Sequence, residues 1–171
     1  MGKKSAGILL YRITNGKLEV FLVHPGGPIW EHKDAGAWSI PKGEFTTEDP
    51  LEAARRELAE ETGCAAQGDF LALTPVRQHS GKMVYAWAAR GDCDADQVRS
   101  NAFHMEWPPA SGRRQEFPEV DRAAWFSLEA ARGKILKGQV PLLDELERLL
   151  DAANPRRAGA DPRGTGAEGG A

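Results

Sequence analysis

The sequence has few of the features that mark secreted, membrane or zinc-binding proteins. Only two cysteines, Cys64 and Cys93, occur among its 171 residues. We therefore expect neither a disulfide framework nor a zinc site, and a reducing compartment fits this composition best. The apolar run at residues 7–11 is too short for a signal peptide or a membrane span. These absences predict a cytoplasmic protein that has no membrane partner.

The chain also lacks a large excess of charge of either sign. Its formal net charge of -3 provides no general attraction to nucleic acid or to an anionic membrane, so we do not expect nucleic acid as a partner. A polyanionic ligand would have to be held by local basic side chains or by metal ions. The length of 171 residues, with 41% hydrophobic and 27% charged residues, predicts one main globular domain.

Apolar and β-branched segments predict a β-sheet. Residues 5–13 and 18–23 form the first two strands, joined by a tight turn at Asn15-Gly16, because these residue types accept positive φ angles. The other predicted elements are strands at residues 38–40, 70–78, 82–89 and 123–127, a strand near residues 103–107 in the otherwise irregular segment 91–120, and helices at residues 128–134 and 141–151. Strands on both sides of an inserted helix predict an α+β sandwich.

The end of the chain has a different composition. After Ala153 the sequence NPRRAGADPRGTGAEGGA shows no apolar periodicity, which is typical of a segment that cannot build a packed core. We therefore predict a folded domain at residues 1–152 and a disordered tail at residues 153–171.

The clearest helix signal follows the tripeptide PKG at residues 41–43. Asp49 is a suitable N-cap, Pro50 suits the first helical position, and Gly63 is well placed to end the helix. Ala54 and Leu58 fall on one apolar stripe at helical spacing. One side of this helix is therefore expected to pack on the core.

A strip of carboxylates runs beside that apolar stripe. Glu57, Glu60 and Glu61 stand at i, i+3 and i+4, so a helix places them on one side. Like charges at this spacing repel, and a bound divalent cation would turn the repulsion into affinity. Mg²⁺ suits such a site because it prefers hard oxygen ligands. The alternative is a solvated face held together by pairs with Arg56, since charged helix faces are common.

The segment as a whole resembles the Nudix box, written Gx5Ex7REUxEExGU with U a bulky apolar residue. The matching residues are Gly43, Glu48, Arg56, Glu57, Leu58, Glu60, Glu61 and Gly63. The spacing from Glu48 to Gly63 is complete, whereas four residues instead of five separate Gly43 from Glu48, and Cys64 fills the last apolar position. So many fixed positions make a chance match improbable.

The resemblance covers about residues 5–150 and implies both a fold and an activity. The implied fold is an α/β/α sandwich around a mixed sheet, and the implied activity is Mg²⁺-dependent attack by water on a phosphoanhydride, with Mn²⁺ as a substitute metal. It implies Glu57, Glu60, Glu61 and the Gly43 carbonyl as metal ligands, with Arg56 as their partner. Either Glu60 or Glu61 would also be the general base.

Some members of this family take a further carboxylate from the segment before a late strand. Glu119, six residues before Trp125, is the best candidate for this ligand or base, and Glu116 is the second. The alternative for each is an ordinary surface carboxylate.

Residues outside the box resemble the dinucleoside tetraphosphate hydrolase branch. In that reading Lys42 and Lys82 bind phosphate, and Tyr85 or its strand neighbour Trp87 stacks on a base, unless these aromatic residues only fill the core. Ala37 stands where the branch commonly has histidine. Four further residues are expected either to line the substrate mouth or to be ordinary loop residues: Trp30, His32, Arg113 and Arg114.

The leading hypothesis is therefore a pyrophosphohydrolase whose partner is a small nucleotide, such as diadenosine tetraphosphate. Two alternatives stay open. Removal of pyrophosphate from RNA 5′ ends would need a basic groove, for which Arg113-Arg114 and the tail arginines are the only candidates. A nucleotide-binding regulator without turnover would normally have a broken box.

Overall fold

The computed structural model describes residues 2–66 and 68–153. The strands within these residues are β1 (Lys4–Thr14), β2 (Lys17–Pro25), β3 (Lys42–Glu44), β4 (Phe70–Ala72), β5 (Val76–Arg77), β6 (Met83–Arg90), β7 (Ala102–Glu106), β8 (Arg114–Pro118) and β9 (Val120–Ser127), and the helices are α1 (Pro50–Thr62), α2 (Leu128–Lys134) and α3 (Val140–Ala153). The predicted tail at residues 153–171 lies outside the described residues, except that Ala153 is the last residue of α3.

The main sheet is mixed and has β1 near its centre. Its order is β4-β6-β1-β2-β9, with β3 added beside β1 and β5 beside β6. Residues 4–11 of β1 pair in parallel with residues 83–90 of β6. Residues 11–14 of β1 pair antiparallel with residues 17–20 of β2. The strands β7 and β8 form a separate antiparallel hairpin.

The segment 39–44 is wedged between β1 and β2. Its β3 part pairs with the first residues of β1, and Ser39 forms a bridge with Val23 of β2. Gly7 permits this approach, because a Cβ atom there would lie 2.4 Å from the Pro41 carbonyl oxygen. The wedge therefore carries the PKG tripeptide into the middle of the sheet.

Helices cover both faces of the sheet, which confirms the predicted α/β/α sandwich. On one face α1 buries apolar residues against the sheet, and this cluster includes Ala6, Ile8, Leu10, Phe21, Ala53, Ala54 and Leu58. On the other face α2 and α3 bury a second cluster, which includes Leu9, Val20, Leu22, Leu128, Ala131, Leu142, Leu143 and Leu146. No helix in residues 2–66 and 68–153 is long and apolar enough to cross a membrane.

The boundaries of α1 follow the local signals in the sequence. The Asp49 side chain accepts a hydrogen bond from the Glu52 amide at 3.1 Å. At the other end Gly63 has a φ of 74°, and its amide donates to the Ala59 carbonyl at 2.8 Å. These caps confirm the predicted helix start and end. The Asn15-Gly16 turn is confirmed too, with φ angles of 52° and 77°.

Two predicted strands were wrong in extent, and one strand was missed. The strand predicted at residues 38–40 consists of isolated bridges, and the continuous pairing comes later, in β3. The strand predicted at residues 70–78 is divided into β4 and β5, because Pro75 has no amide to donate and the Thr74 amide instead donates to Glu145 at 2.8 Å. The segment 91–120 contains β8 in addition to the predicted strand, because β7 and β8 pair with each other.

The expectation about the cysteines was also wrong. Cys64 and Cys93 are bonded to each other, with their Cα atoms 5.8 Å apart. Cys64 follows the end of α1, and Cys93 follows the end of β6, which lies in the sheet under that helix. Residues 29 positions apart in the chain thus reach the same corner of the fold.

Candidate active site

The carboxylate of Glu57 packs directly against the wedge segment. Glu57 is 9% exposed, although its two neighbours in the predicted strip are more accessible. A Cβ atom on Gly43 would lie 2.0 Å from Glu57 Cδ and 2.2 Å from each of its carboxylate oxygens. Only glycine therefore leaves room for this carboxylate, so the shortened spacing between Gly43 and Glu48 still brings Gly43 to the helix.

Arg56 connects three acidic side chains. Its Nη1 donates to Glu57 Oε1 at 2.9 Å and to Glu60 Oε2 at 3.1 Å. Its Nη2 donates to Glu48 Oε1 at 2.6 Å, and this pair is the first cause of the raised pKa of Arg56. Glu52, which lies four residues before Arg56, pairs with Arg55. Arg56 thus lies between two of the predicted metal ligands.

Glu61 faces the opposite way, towards the wedge. Its Oε2 accepts a hydrogen bond from the Lys42 backbone amide at 3.1 Å. Burial raises the pKa of Glu61 to about 8, partly offset by that hydrogen bond, and the nearby Glu57 raises it further. Burial also lowers the pKa of the Lys42 side chain, with repulsion from Lys82 as the second cause. The carboxyl group of Glu61 and the ammonium group of Lys42 are therefore both desolvated and lie close enough to affect each other's pKa.

A cleft of about 250 Å³ opens beside Glu61. Glu119, which lies between β8 and β9, reaches this cleft, and its charge raises the pKa values of both Glu57 and Glu61. Glu116 instead faces His104 on the hairpin, at 3.8 Å. The residues lining the cleft are Val23, Pro25, Trp30, Ala37, Ser39, Ile40, Lys42, Glu61, Gln78, Glu119, Val120 and Leu136.

The sequence comparisons decide the family. The sequence model of the NUDIX domain family matches residues 3–146. The chain belongs to the NUDIX domain family. This confirms the resemblance inferred from the box and supports the predicted pyrophosphohydrolase activity. No curated protein matches the chain.

Solved structures share the fold of this NUDIX domain. An Ap4A hydrolase of C. elegans, in a binary complex, is similar with a TM-score of 0.62 and 24% identity over 88% of this chain and 98% of that one. The NUDIX domain of Shewanella oneidensis NrtR, complexed with ADP ribose, gives a TM-score of 0.61 and 16% identity over 88% of this chain and 89% of that one. The ORF135 protein of E. coli gives a TM-score of 0.53 and 23% identity over 93% of this chain and 94% of that one.

The remaining predicted site residues of the NUDIX domain lie at different distances from the cleft. Lys82 is near Lys42 and pairs with Glu44 at 3.0 Å. Tyr85 packs edge-on against Phe45, with ring centres 5.9 Å apart, and contacts the core cluster beneath α1, as Trp87 does. The core-filling alternative therefore describes both aromatic residues. Of the four residues predicted at the substrate mouth, Trp30 lines the cleft. The other three, His32, Arg113 and Arg114, are exposed and are not among its lining residues.

The donor chemistry of the NUDIX helix fits a divalent cation, but its side chains do not converge. Repulsion from Glu57 raises the pKa of Glu61, and repulsion from Glu60 and Glu119 raises that of Glu57; a cation would relieve this repulsion. In residues 2–66 and 68–153, no three His, Cys, Asp or Glu side chains are grouped to hold a metal ion. Hydrogen bonds explain why the three carboxylates do not meet. Arg56 binds the carboxylates of Glu57 and Glu60, whereas the carboxylate of Glu61 accepts from the Lys42 amide. The predicted common position of the three carboxylates is therefore not seen.

Sequence reasoning missed an amide pair at the cleft. Buried Gln139 accepts a hydrogen bond from the Ile40 amide at 3.1 Å through Oε1. Its Nε2 therefore donates, and it does so to Gln78 Oε1 at 2.9 Å. Gln78 is thus oriented with its own Nε2 as the donor group in the cleft. No local pattern marks either glutamine, because their contact spans 61 positions of the chain.

The raised pKa of Glu61 predicts a pH-dependent stability. The folded chain binds the Glu61 proton more tightly than the unfolded chain does, whose carboxyl has the ordinary value of 4.5. The free energy of unfolding should therefore fall as the pH rises from 4.5 through about 8. Denaturant titrations of chelator-treated protein, from about pH 5 to about pH 9, should show a shallower decline for Glu61→Gln. Glu129→Gln, an exposed carboxylate of α2, should follow the wild type, and equal slopes for all three proteins would contradict this account.

Proposed function

We propose that this NUDIX domain is a Mg²⁺-dependent pyrophosphohydrolase that cleaves a phosphoanhydride bond in a dinucleoside polyphosphate such as diadenosine tetraphosphate. The observation that carries the proposal is the partly desolvated pair Glu57 and Glu61: Glu57 packs against Gly43, and Glu61 accepts a hydrogen bond from Lys42, with which it lines the cleft. A cation held by the three glutamates of α1 and the Gly43 carbonyl would neutralise charge on the phosphate oxygens and lower the pKa of a bound water.

The side chains around the cleft have separable roles in this proposal. Lys42 lines the cleft, and we assign it and the nearby Lys82 to phosphate oxygens. Glu61, whose pKa of about 8 is close to neutrality, suits proton transfer from water, and Glu60 is the second candidate. Glu119 faces the same cleft from the other side and is assigned as a further ligand or base.

Arg56 is a positioning residue in this scheme. Its hydrogen bonds to Glu48, Glu57 and Glu60 hold these side chains in place, and its charge lowers the pKa of Glu57 against the effect of burial. Binding of the cation would then require Glu60 and Glu57 to exchange a guanidinium contact for a metal contact. Glu48 keeps Arg56 beside the helix during that exchange, because it pairs with a different nitrogen of the guanidinium group.

The choice of a dinucleoside polyphosphate rests on the Lys42 and Lys82 pair and on the likeness to the C. elegans Ap4A hydrolase. Two lysines near one cleft suit a chain of several phosphates better than a single phosphate. The cytoplasmic location and the absence of a nucleic-acid partner remain predictions from the sequence.

The proposal is tested by turnover of a substrate panel. The full chain is incubated with Mg²⁺ and, separately, with diadenosine polyphosphates, nucleoside triphosphates, ADP-ribose and triphosphorylated RNA, and the products are separated by chromatography. We expect diadenosine tetraphosphate to have the highest kcat/KM, by about 10-fold or more over the others, and activity to vanish in chelator. Binding without product across the whole panel would support a regulator instead, and a preference for the RNA would support 5′-end processing.

A further inference from the structure

A second cavity, of about 370 Å³, lies next to the cleft. One wall is the loop after β2, which contributes Ile29 and Trp30, and the other is the hairpin strand β7, which contributes Phe103 and Met105. Glu119 is the only acidic group among the residues that line it. The volume lies within the range of small-molecule sites, which are typically about 300–1,000 Å³ and mostly apolar.

The walls of this cavity are held together by close backbone contacts. Phe103 and Met105 alternate with exposed neighbours along β7, so both face the loop. A Cβ atom on Gly27 would lie 2.9 Å from Phe103 Cζ, and one on Gly26 would lie 2.0 Å from the Pro118 carbonyl oxygen. Two glycines therefore allow the loop to lie directly against the hairpin.

The cavity and the cleft adjoin each other. Pro25, Trp30 and Glu119 line both. A molecule can therefore extend from the charged end, at Lys42 and Glu61, to the apolar end. The apolar end also exposes hydrophobic surface without a partner in the described chain, since 53% of Ile29 is accessible.

We infer that this cavity binds the nucleobase of the substrate, stacked on Trp30 and enclosed by Phe103 and Met105. A nucleotide joins a polyanionic phosphate chain to a flat, neutral ring. The cleft offers charged side chains to the phosphates, and the adjoining cavity offers apolar side chains to the ring. The carboxylate of Glu119 lies at the boundary, where its charge repels phosphate from the apolar end. The inference rests on the proposed function only in placing the phosphate chain in the cleft.

Calorimetry with two small ligands tests this inference on the full chain. Adenosine 5′-monophosphate carries the base, and ribose 5-phosphate lacks it. The wild type is expected to bind the nucleotide at least about 10-fold more tightly than the sugar phosphate, because stacking of one base on aromatic side chains is worth about that factor. Phe103→Ala should lose most of this preference while its affinity for ribose 5-phosphate stays unchanged, because Phe103 lines only the cavity. Trp30→Ala should also lose most of the preference.

His104→Ala is the matched control. His104 lies between Phe103 and Met105 but points to the exposed side of β7, so its loss should preserve the preference. Phe103→Leu, which keeps apolar volume without a ring, should give an intermediate value, and thermal unfolding shows whether each variant is folded. Equal preference in Phe103→Ala and His104→Ala, or no preference in the wild type, would overturn the inference. Turnover by the wild type in the substrate panel is a separate readout, so failure of this cavity and failure of the proposed function are distinguishable.

Discussion

Glu57→Gln is expected to lower kcat/KM for diadenosine tetraphosphate by roughly 100-fold to 1000-fold. Glu57 is the least exposed residue of the strip, and its carboxylate is fixed by Arg56 and by Gly43. The amide keeps the shape of the side chain but removes the charge that a cation requires. Steady-state kinetics gives the size of the loss, and the thermal unfolding midpoint with and without Mg²⁺ tests the cause. Mg²⁺ should raise the midpoint of the wild type and leave that of Glu57→Gln unchanged.

Glu52→Gln is the matched control for this change. Glu52 lies on the same helix but is exposed and pairs with Arg55, so its kcat/KM should stay within about 3-fold of the wild type. Because desolvation is the first cause of the raised pKa of Glu57, the metal-free Glu57→Gln protein should also be at least as stable as the wild type at neutral pH. A Glu57→Gln enzyme with normal turnover and a normal response to Mg²⁺ would refute the assignment.

Gly43→Ala is expected to reduce kcat/KM by about 100-fold, since small displacements of a reacting group carry costs of that order. The new Cβ atom would lie 2.0 Å from Glu57 Cδ, so the carboxylate has to move. The end of a glutamate side chain is flexible, and the fold should therefore tolerate the change better than the activity does. Kinetics together with the Mg²⁺-dependent shift in unfolding midpoint measures both effects.

Gly133→Ala serves as the control for the added methyl group. Outside its own stretch of α2, no described atom would lie within 4 Å of a Cβ atom at Gly133. Alanine in a helix is favoured over glycine by about 0.5–1 kcal/mol, so this variant should be slightly more stable and fully active. If Gly43→Ala behaves in the same way, the packing of Gly43 on Glu57 has no functional role.

The parts of the fold that were predictable depend on neighbours in sequence. Asp49, Pro50 and Gly63 specify the start and end of α1 through their own backbone preferences, and Asn15-Gly16 specifies the first hairpin in the same way. The shared side of the three α1 carboxylates was also predictable, because it follows from their spacing along one helix. Their side-chain directions were not predictable, since Glu61 turns towards Lys42, which belongs to another element.

The features that were missed depend on contacts between distant segments. The pairing of β7 with β8, the bond between Cys64 and Cys93, and the orientation of Gln78 by Gln139 each join residues with no common local pattern. Phe103 illustrates the limit most clearly. Its strand was predicted, but its position opposite Trp30 follows from the two glycines of the loop and from the return of the chain through Glu119.

The wedge at residues 39–44 places the candidate site at an interruption of the sheet, where the direct pairing of β1 with β2 stops. The strands β1 and β2 pair next to their turn and then separate, and the backbone between their separated ends carries Lys42 and Gly43. The proposed location of the chemistry therefore depends on the path of the main chain, which requires glycine at positions 7 and 43. Substitutions at Ala37 and Gln78, which line the cleft, would change its shape and polarity without moving the proposed point of cleavage.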